Sequence, residues 1–116
     1  ADGETVEGSL LYERARQGDT LNLSVLSLKR LPLLGLPEAK VVDLSNNRLE
    51  TISPKAIDES TTELILHHNN ISELVTKGWG SLKTLDIRSN RMDSKTVSRL
   101  RQHLPAKVLG RGITVL

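Results

Sequence analysis

The side chains that could do chemistry in this sequence are few. There is no cysteine among the 116 residues, which excludes thiolate nucleophiles, disulfides and cysteine-containing zinc sites. His67 and His68 are adjacent rather than four residues apart and have no third ligand nearby, so we expect surface histidines and not a metal site. The local motifs of hydrolases, P-loop enzymes, dinucleotide binders and zinc proteases are also missing. The sequence therefore predicts a protein that is not an enzyme and has no metal or cofactor.

The basic residues are concentrated at one end of the sequence. The formal net charge is only +2, but residues 95–116 contain basic residues and no acid. These basic residues are Lys95, Arg99, Arg101, Lys107 and Arg111. A basic surface favours nucleic-acid binding, yet a single tryptophan and a single tyrosine provide no platform for stacked bases. A nucleic-acid-binding adaptor is therefore the alternative function.

The elements that position these side chains follow from an internal repeat. Four segments align without gaps: LNLSVLSL (21–28), VDLSNNRL (42–49), LILHHNNI (64–71) and LDIRSNRM (85–92). Their sixth places are occupied by Leu26, Asn47, Asn69 and Asn90. A second aligned position, ten residues later, is occupied by Leu36, Ile57, Trp79 and Leu100. This agreement predicts stacked repeats of 21 to 22 residues, with Trp79 in the core.

Over roughly residues 18–100, the chain resembles the leucine-rich repeat family, whose pattern is L-x-x-L-x-L-x-x-N-x-L. The leading leucine is kept only at Leu82 and is replaced at Gly18, Ala39 and Thr61, and Leu26 replaces the first asparagine. The resemblance implies a curved α/β solenoid with a short-stranded parallel sheet on its concave face. It also implies a non-catalytic protein-interaction module, of the adaptor or regulatory-subunit type, that binds another protein on that face.

Elementary strand geometry explains the pattern. In each segment two apolar residues lie two positions apart, as in Leu64 and Leu66, so both point to the same side of a short strand. One such strand cannot fold alone, but stacked neighbours build a parallel sheet over a continuous aliphatic core. The asparagine then turns the chain, and its amide can bond backbone groups left open by the turn. We therefore expect Asn47, Asn69 and Asn90 to be structural.

The two ends of the repeat array differ from its middle. Residues 1–19 contain an apolar stripe that predicts an N-terminal capping helix ending at Gly18. Residues 20–92 contain the four repeat strands and their returns. Residues 93–116 are expected to form a helix, capped by Asp93 or Ser94 and ended by Pro105, followed by a final strand. We place that strand at Ile113 and Val115, which follow Leu85 and Ile87 by 28 residues, the repeat length of the ribonuclease-inhibitor-like class. Residues 1–116 are thus expected to form a single leucine-rich repeat domain. The last four residues stop in mid-strand, which favours either a fragment of a longer protein or a further element that covers that edge of the sheet.

The alternate strand residues point away from the core and form the predicted binding face. The partner-binding residues expected there are Val41, Asp43, Glu63, Ile65, His67, Asp86 and Arg88. Ile65 is the strongest single candidate among them, because the core does not need an outward apolar side chain in the middle of the sheet.

Location is predicted from what the sequence contains. Its apolar runs are only a few residues long, far short of the roughly 20 needed to cross a bilayer. Residues 1–20 show no basic segment followed by an apolar stretch, as a signal peptide would. Extracellular members of the resembled family generally carry disulfide-bonded caps, so the lack of cysteine favours an intracellular, cytoplasmic location.

Overall fold

The computed structural model describes residues 15–31, 35–104 and 106–110, and its strands lie side by side in chain order in one sheet. The strands are β1 (Arg16–Gln17), β2 (Thr20–Asn22), β3 (Val41–Asp43), β4 (Glu63–Ile65), β5 (Thr84–Asp86) and β6 (Lys107–Leu109). A 3₁₀ helix spans Pro54–Ala56 and an α-helix, α1, spans Ser94–His103. Strands β2 to β6 are parallel to one another.

The register of the parallel strands places one apolar row in the interior. This row consists of Leu21, Val42, Leu64, Leu85 and Val108, which are neighbours across the sheet and are all buried. The second residue of each predicted inward pair is buried as well, as for Leu44 and Leu66. The predicted strand faces are therefore confirmed. Trp79 is 1% exposed and its indole N–H donates to the carbonyl of Pro54 at 3.3 Å, which confirms its place in the core.

Helix α1 forms the return segment of the fourth repeat, as predicted. The side chain of Asp93 caps it by accepting a hydrogen bond from the backbone N–H of Thr96 at 2.8 Å. Val97 and Leu100 on one face of the helix are buried in the same core as the strand residues, because residues three apart lie on one side of an α-helix.

The last strand lies earlier in the chain than the sequence predicts. Lys107–Leu109 pairs with β5, and Val108 rather than Ile113 is the partner of Leu85. The step from Leu85 to its partner is thus 23 residues and not 28, so the expected ribonuclease-inhibitor-like repeat length is wrong. Helix α1 ends early enough for the alternation Lys107, Val108, Leu109 to form the next strand directly after it. Ile113 and Val115 lie outside the described residues.

The start of the sheet also differs from expectation. The segment Arg16–Gln17 is a short strand that runs antiparallel to β2, with Gln17 opposite Thr20. Gly18 is therefore in a tight β-hairpin and not at the end of a helix, and its φ of +62° suits such a turn because glycine has no Cβ to clash. The rest of the expected capping helix, residues 1–14, lies outside the described residues.

Buried asparagines connect successive repeats. The amide nitrogen of Asn47 donates to the carbonyls of Leu23 at 3.0 Å and Leu44 at 2.9 Å. Its side-chain oxygen accepts from the backbone N–H groups of Leu26 at 3.0 Å and Leu28 at 2.9 Å. One amide thus bonds the strand and turn of its own repeat and those of the preceding repeat, which confirms its structural role.

Asn69 and Asn90 make equivalent bonds in the next two repeats. Asn69 donates to the carbonyls of Leu44 and Leu66, each at 3.0 Å, and accepts from the N–H of Leu49. Asn90 donates to the carbonyls of Leu66 and Ile87. Each asparagine bonds backbone groups of the preceding repeat. The first repeat is preceded by the antiparallel strand β1, so an asparagine there would have no parallel strand to bond.

We predict that Leu66→Ala lowers the free energy of unfolding by about 2–5 kcal/mol, because it removes a fully buried side chain from a central repeat. The adjacent change Ile65→Ala, at a half-buried outward position, should cost about 1 kcal/mol or less. Urea denaturation of both variants measures the difference. Equal losses would contradict the strand register.

We also predict that Asn69→Ala destabilises the protein by about 1–3 kcal/mol, because it leaves buried carbonyl and N–H groups without partners. Asn69→Asp should not restore stability, since a carboxylate cannot donate to the two carbonyls. Asn70→Ala is the matched control on an exposed neighbour and should be close to neutral. A larger loss for Asn70→Ala than for Asn69→Ala in thermal unfolding would show that the assignment of the turn is wrong.

Candidate functional site

The outward residues of β2 to β6 form two rows on the exposed face of the sheet. The first row is Thr20, Val41, Glu63, Thr84 and Lys107, and the second is Asn22, Asp43, Ile65, Asp86 and Leu109. Five of the predicted site residues lie in these rows, on three adjacent strands: Val41, Asp43, Glu63, Ile65 and Asp86. His67 lies two residues beyond the end of β4, and Arg88 lies two residues beyond the end of β5. The structure therefore places the predicted residues together on one face.

Two side chains in the second row make the same pair of local hydrogen bonds, and Asp86 makes the backbone bond of that pair by accepting from the N–H of Arg88 at 3.2 Å. Oδ1 of Asn22 accepts from the N–H and hydroxyl of Ser24 at 3.0 and 2.7 Å, and Oδ1 of Asp43 does the same with Ser45 at the same distances. Such Asx turns satisfy the backbone where a strand ends. Asn22 and Asp43 therefore have a structural role that the sequence analysis missed, although the spacing D-L-S and N-L-S is visible in the sequence.

Among strands β2 to β5, Ile65 is the member of this row whose side chain has no oxygen to accept such bonds. It lies between Asp43 and Asp86 in the sheet register, and its side chain is half-buried. The third repeat therefore lacks the local strand-end bonds of the other three, and presents an apolar side chain instead.

Asp86 is buried beneath Arg88, which sequence reasoning did not foresee. The guanidinium of Arg88 donates through Nε to Oδ1 of Asp86 at 2.9 Å and through Nη2 to Oδ2 at 2.7 Å. Asp86 has a residual exposure of only 6%, whereas the side chain of Arg88 is 60% exposed. The carboxylate thus holds the guanidinium in a bidentate arrangement, and the group accessible to a partner is Arg88.

Two opposing effects set the pKa of Asp86. Burial raises it, but hydrogen bonds from the side chain and backbone N–H of Arg88, the charge of Arg88 and the charge of His67 outweigh burial. The pKa of Asp86 is therefore held below its ordinary value. The same contact raises the pKa of Arg88, so the pair is ionised at neutral pH.

The two histidines stand at the edge of this face. Their Nδ1 atoms are 2.7 Å apart, and the rings meet edge to face with centroids 4.9 Å apart. The backbone N–H of His68 donates to the carbonyl of Arg88, which follows the end of β5, at 3.0 Å. The pair is therefore attached to the same turn as the Asp86–Arg88 contact.

Two further residues belong to the face because β6 lies earlier than expected. Leu109 is next to Asp86, and Lys107 is next to Thr84. Leu109 is half-buried and Lys107 is exposed. The alternation K-V-L was the signal for them in the sequence, but three residues are too few to distinguish a strand from a loop.

The proposed basic surface is divided by the same finding. Lys95, Arg99 and Arg101 are exposed on α1, whose apolar residues Val97 and Leu100 pack into the core. Lys107 lies on the opposite, outward face of the sheet, because the residue beside it, Val108, points into that core. Lys107 therefore lies on a different face from Lys95, Arg99 and Arg101. Arg111 lies outside the described residues.

We predict that Asp86→Asn lowers the free energy of unfolding at pH 7 and makes that free energy less sensitive to a fall in pH. Because the pKa of Asp86 is lower in the folded state, the stabilisation is present above the unfolded pKa of about 3.9 and is lost as the pH falls through the folded pKa. Urea midpoints should differ between wild type and Asp86→Asn by a constant amount down to about pH 4 and converge below it. Glu63→Gln controls for the loss of one negative charge on the neighbouring strand. A difference that is unchanged at pH 2 would contradict the role of the carboxylate.

Comparisons with known proteins address the repeat and not the site. A family model described as Leucine Rich Repeat matches residues 38–59, a segment that contains β3, Asn47 and the 3₁₀ helix. No curated protein matches the chain, and no solved structure matches it. No helix in the described part of the chain is long and apolar enough to cross a membrane.

The matched segment is one member of a series. The strands on either side of β3 have the same register, and the same asparagine bonds recur at Asn69 and Asn90. Leucine-rich repeats generally mediate protein–protein interactions and are generally not catalytic. Residues 38–59 are therefore similar to a leucine-rich repeat, and the neighbouring segments repeat the strand register and the asparagine bonds of that segment.

Proposed function

We propose that this chain is a non-catalytic protein-binding module, of adaptor or regulatory type, which holds a partner protein on the exposed, concave face of its sheet. The observation that carries the proposal is Ile65. Ile65 stands where the neighbouring repeats have Asp43 and Asp86, whose carboxylates accept hydrogen bonds from backbone N–H groups at the strand ends. Ile65 is not part of the core. A residue that departs from a local structural rule without a gain in packing is typical of a functional site.

The surroundings of Ile65 support a binding role. Two further half-buried apolar residues face outward nearby: Leu109 lies beyond Asp86 in the same row, and Val41 lies on the adjacent strand in the other row. Apolar contacts at the centre of an interface supply much of the binding energy, while charges around them fix orientation.

The charges around Ile65 differ on its two sides. Asp43 and Glu63 provide carboxylates on β3 and β4, whereas Arg88 provides a cation at the end of β5. Because Asp86 already holds the guanidinium of Arg88 by two hydrogen bonds, little side-chain entropy remains to be lost when a partner binds it. The expected partner surface is an apolar side chain flanked by an acidic group that faces Arg88 and a basic group that faces Asp43 and Glu63.

Nucleic-acid binding remains the alternative function, but its basis is weaker than the sequence suggested. The residues Lys95, Arg99 and Arg101 on α1 are on a different face from Lys107, so one strand of nucleic acid would not contact all of them along a single groove. An intracellular location stays a prediction, and it is consistent with either function.

We predict that Ile65→Asp abolishes binding of the partner and that Arg88→Glu weakens it at least tenfold. The partner would first be isolated from cell lysate on the immobilised chain, and its Kd then measured with purified proteins. Val75→Asp is the matched control, because Val75 is a 58% exposed aliphatic residue on a return and not on the sheet. Circular dichroism would show that each variant is folded.

The helix provides the opposing test. The double change Arg99→Glu with Arg101→Glu should leave the partner bound. If it abolished binding while Ile65→Asp had no effect, the sheet would not be the binding face. A steep dependence of RNA or DNA affinity on salt concentration would then support the alternative function.

A further inference from the structure

The paired histidines at the edge of the sheet have a geometry that neither the core nor the strand requires. Nδ1 of His67 and Nδ1 of His68 face each other at 2.7 Å. His67 is half-buried and His68 is exposed, so ions in solution can reach both. Two converging imidazole nitrogens are a common pair of ligands for transition metals.

The turn brings these adjacent side chains to the same side. Neighbouring residues in an extended strand point in opposite directions, so two adjacent histidines on a regular strand would not converge. His68, however, has a φ of +61°, and this left-handed conformation redirects its side chain. Asn46 and Ser89 adopt the same conformation at the equivalent turns, each with φ of +56°, so the repeat imposes it on His68.

The backbone that carries the pair is held firmly in place. Asn69, the next residue, donates to the carbonyls of Leu44 and Leu66, and the N–H of His68 is bonded to the carbonyl of Arg88. A ligand therefore does not have to order the chain before it binds, and this preorganisation reduces the entropic cost of chelation.

The separation of the two nitrogens selects among metals. The rings must turn so that each lone pair points to the metal and not to the other nitrogen. If the nitrogens keep their separation of 2.7 Å, metal–nitrogen bonds of about 2.0–2.1 Å give an angle of roughly 80–85° at the metal. This angle fits neighbouring positions of a square-planar or tetragonal site and is too small for tetrahedral zinc. Square-planar nitrogen and oxygen coordination is typical of Cu²⁺ and Ni²⁺, and Cu²⁺ binds more strongly of the two.

The proton between the rings does not prevent binding. In two neutral imidazoles at this distance, one Nδ1 carries the hydrogen and the other accepts it. When a metal takes both Nδ1 lone pairs, that proton is transferred through solvent to Nε2 of the same ring, so each imidazole remains neutral. Binding from the protonated form of either histidine would release a proton, which links affinity to pH.

The surroundings limit the site to these two protein ligands. The carboxylate of Asp86 on β5 lies close enough for the charge of His67 to act on it, but both of its oxygens are bonded to Arg88. Within the described part of the chain, no group of three histidine, cysteine, aspartate or glutamate residues is arranged to hold a metal ion. Water molecules would therefore fill the remaining positions of the metal.

We propose that His67 and His68 form a two-histidine chelate for Cu²⁺ through their Nδ1 atoms, on the edge of the exposed sheet face. The metal is held by the turn of the third repeat and does not depend on the partner binding proposed above.

Titration of the purified chain with CuCl₂ at neutral pH tests this site. Calorimetry should give a saturable site with one Cu²⁺ per chain, and pulsed electron paramagnetic resonance should detect the remote nitrogens of two imidazoles. His67→Gln and His68→Asn should each weaken Cu²⁺ binding at least tenfold and leave at most one imidazole in the spectrum. Asparagine is used at position 68 because it tolerates a positive φ, so the turn is kept.

The third histidine of the chain provides the matched control. His103 lies on α1, and its ring Nδ1 contacts the carbonyl of Arg99. His103→Gln should leave the affinity and the two-imidazole spectrum unchanged. Absence of a saturable site, an equal effect of His103→Gln, or tighter binding of Zn²⁺ than of Cu²⁺ would each overturn the proposal.

Discussion

The fold depends on the hydrogen bonds made by one buried amide in each repeat. A strand of three residues must turn sharply at its end, and the turn leaves carbonyl and N–H groups inside the protein, where water cannot solvate them. Asn47, Asn69 and Asn90 each satisfy such groups in two consecutive repeats. An amide is suited to this task because it both donates and accepts. The aliphatic core supplies most of the driving force, but these bonds fix how one repeat stacks on the next.

The first repeat shows that this constraint acts between repeats. Leu26 stands where the others have asparagine, yet its turn has the same left-handed backbone, with a φ of +58° at Val25. A β-branched residue rarely adopts that conformation. It does so here because the side-chain oxygen of Asn47 in the second repeat bonds the N–H groups of Leu26 and Leu28. The turn of one repeat is therefore completed by its successor.

The same turns determine what the exposed face can offer. They end each strand after three residues, so only two outward positions per strand are available for binding. In three repeats one of these positions is used for an Asx-type bond, at Asn22, Asp43 and Asp86. The remaining freedom is in the third repeat, where Ile65 is apolar and the left-handed turn residue is a histidine. Both proposed activities lie there because structural demands on those side chains are weakest.

The sequence by itself determined the repeat, the inward face of β2 to β5, the structural asparagines, the core position of Trp79 and helix α1. These features depend on local spacing, which alternates by two in strands and recurs at about 3.6 residues in helices. Only the tertiary structure decided where β6 lies and that Arg88 covers Asp86. It alone also decided that Lys107 and the helix are on opposite faces, and that His67 and His68 converge. Each of these depends on pairing with another strand or on the sign of one φ angle, and neither quantity is expressed in the order of apolar and polar residues.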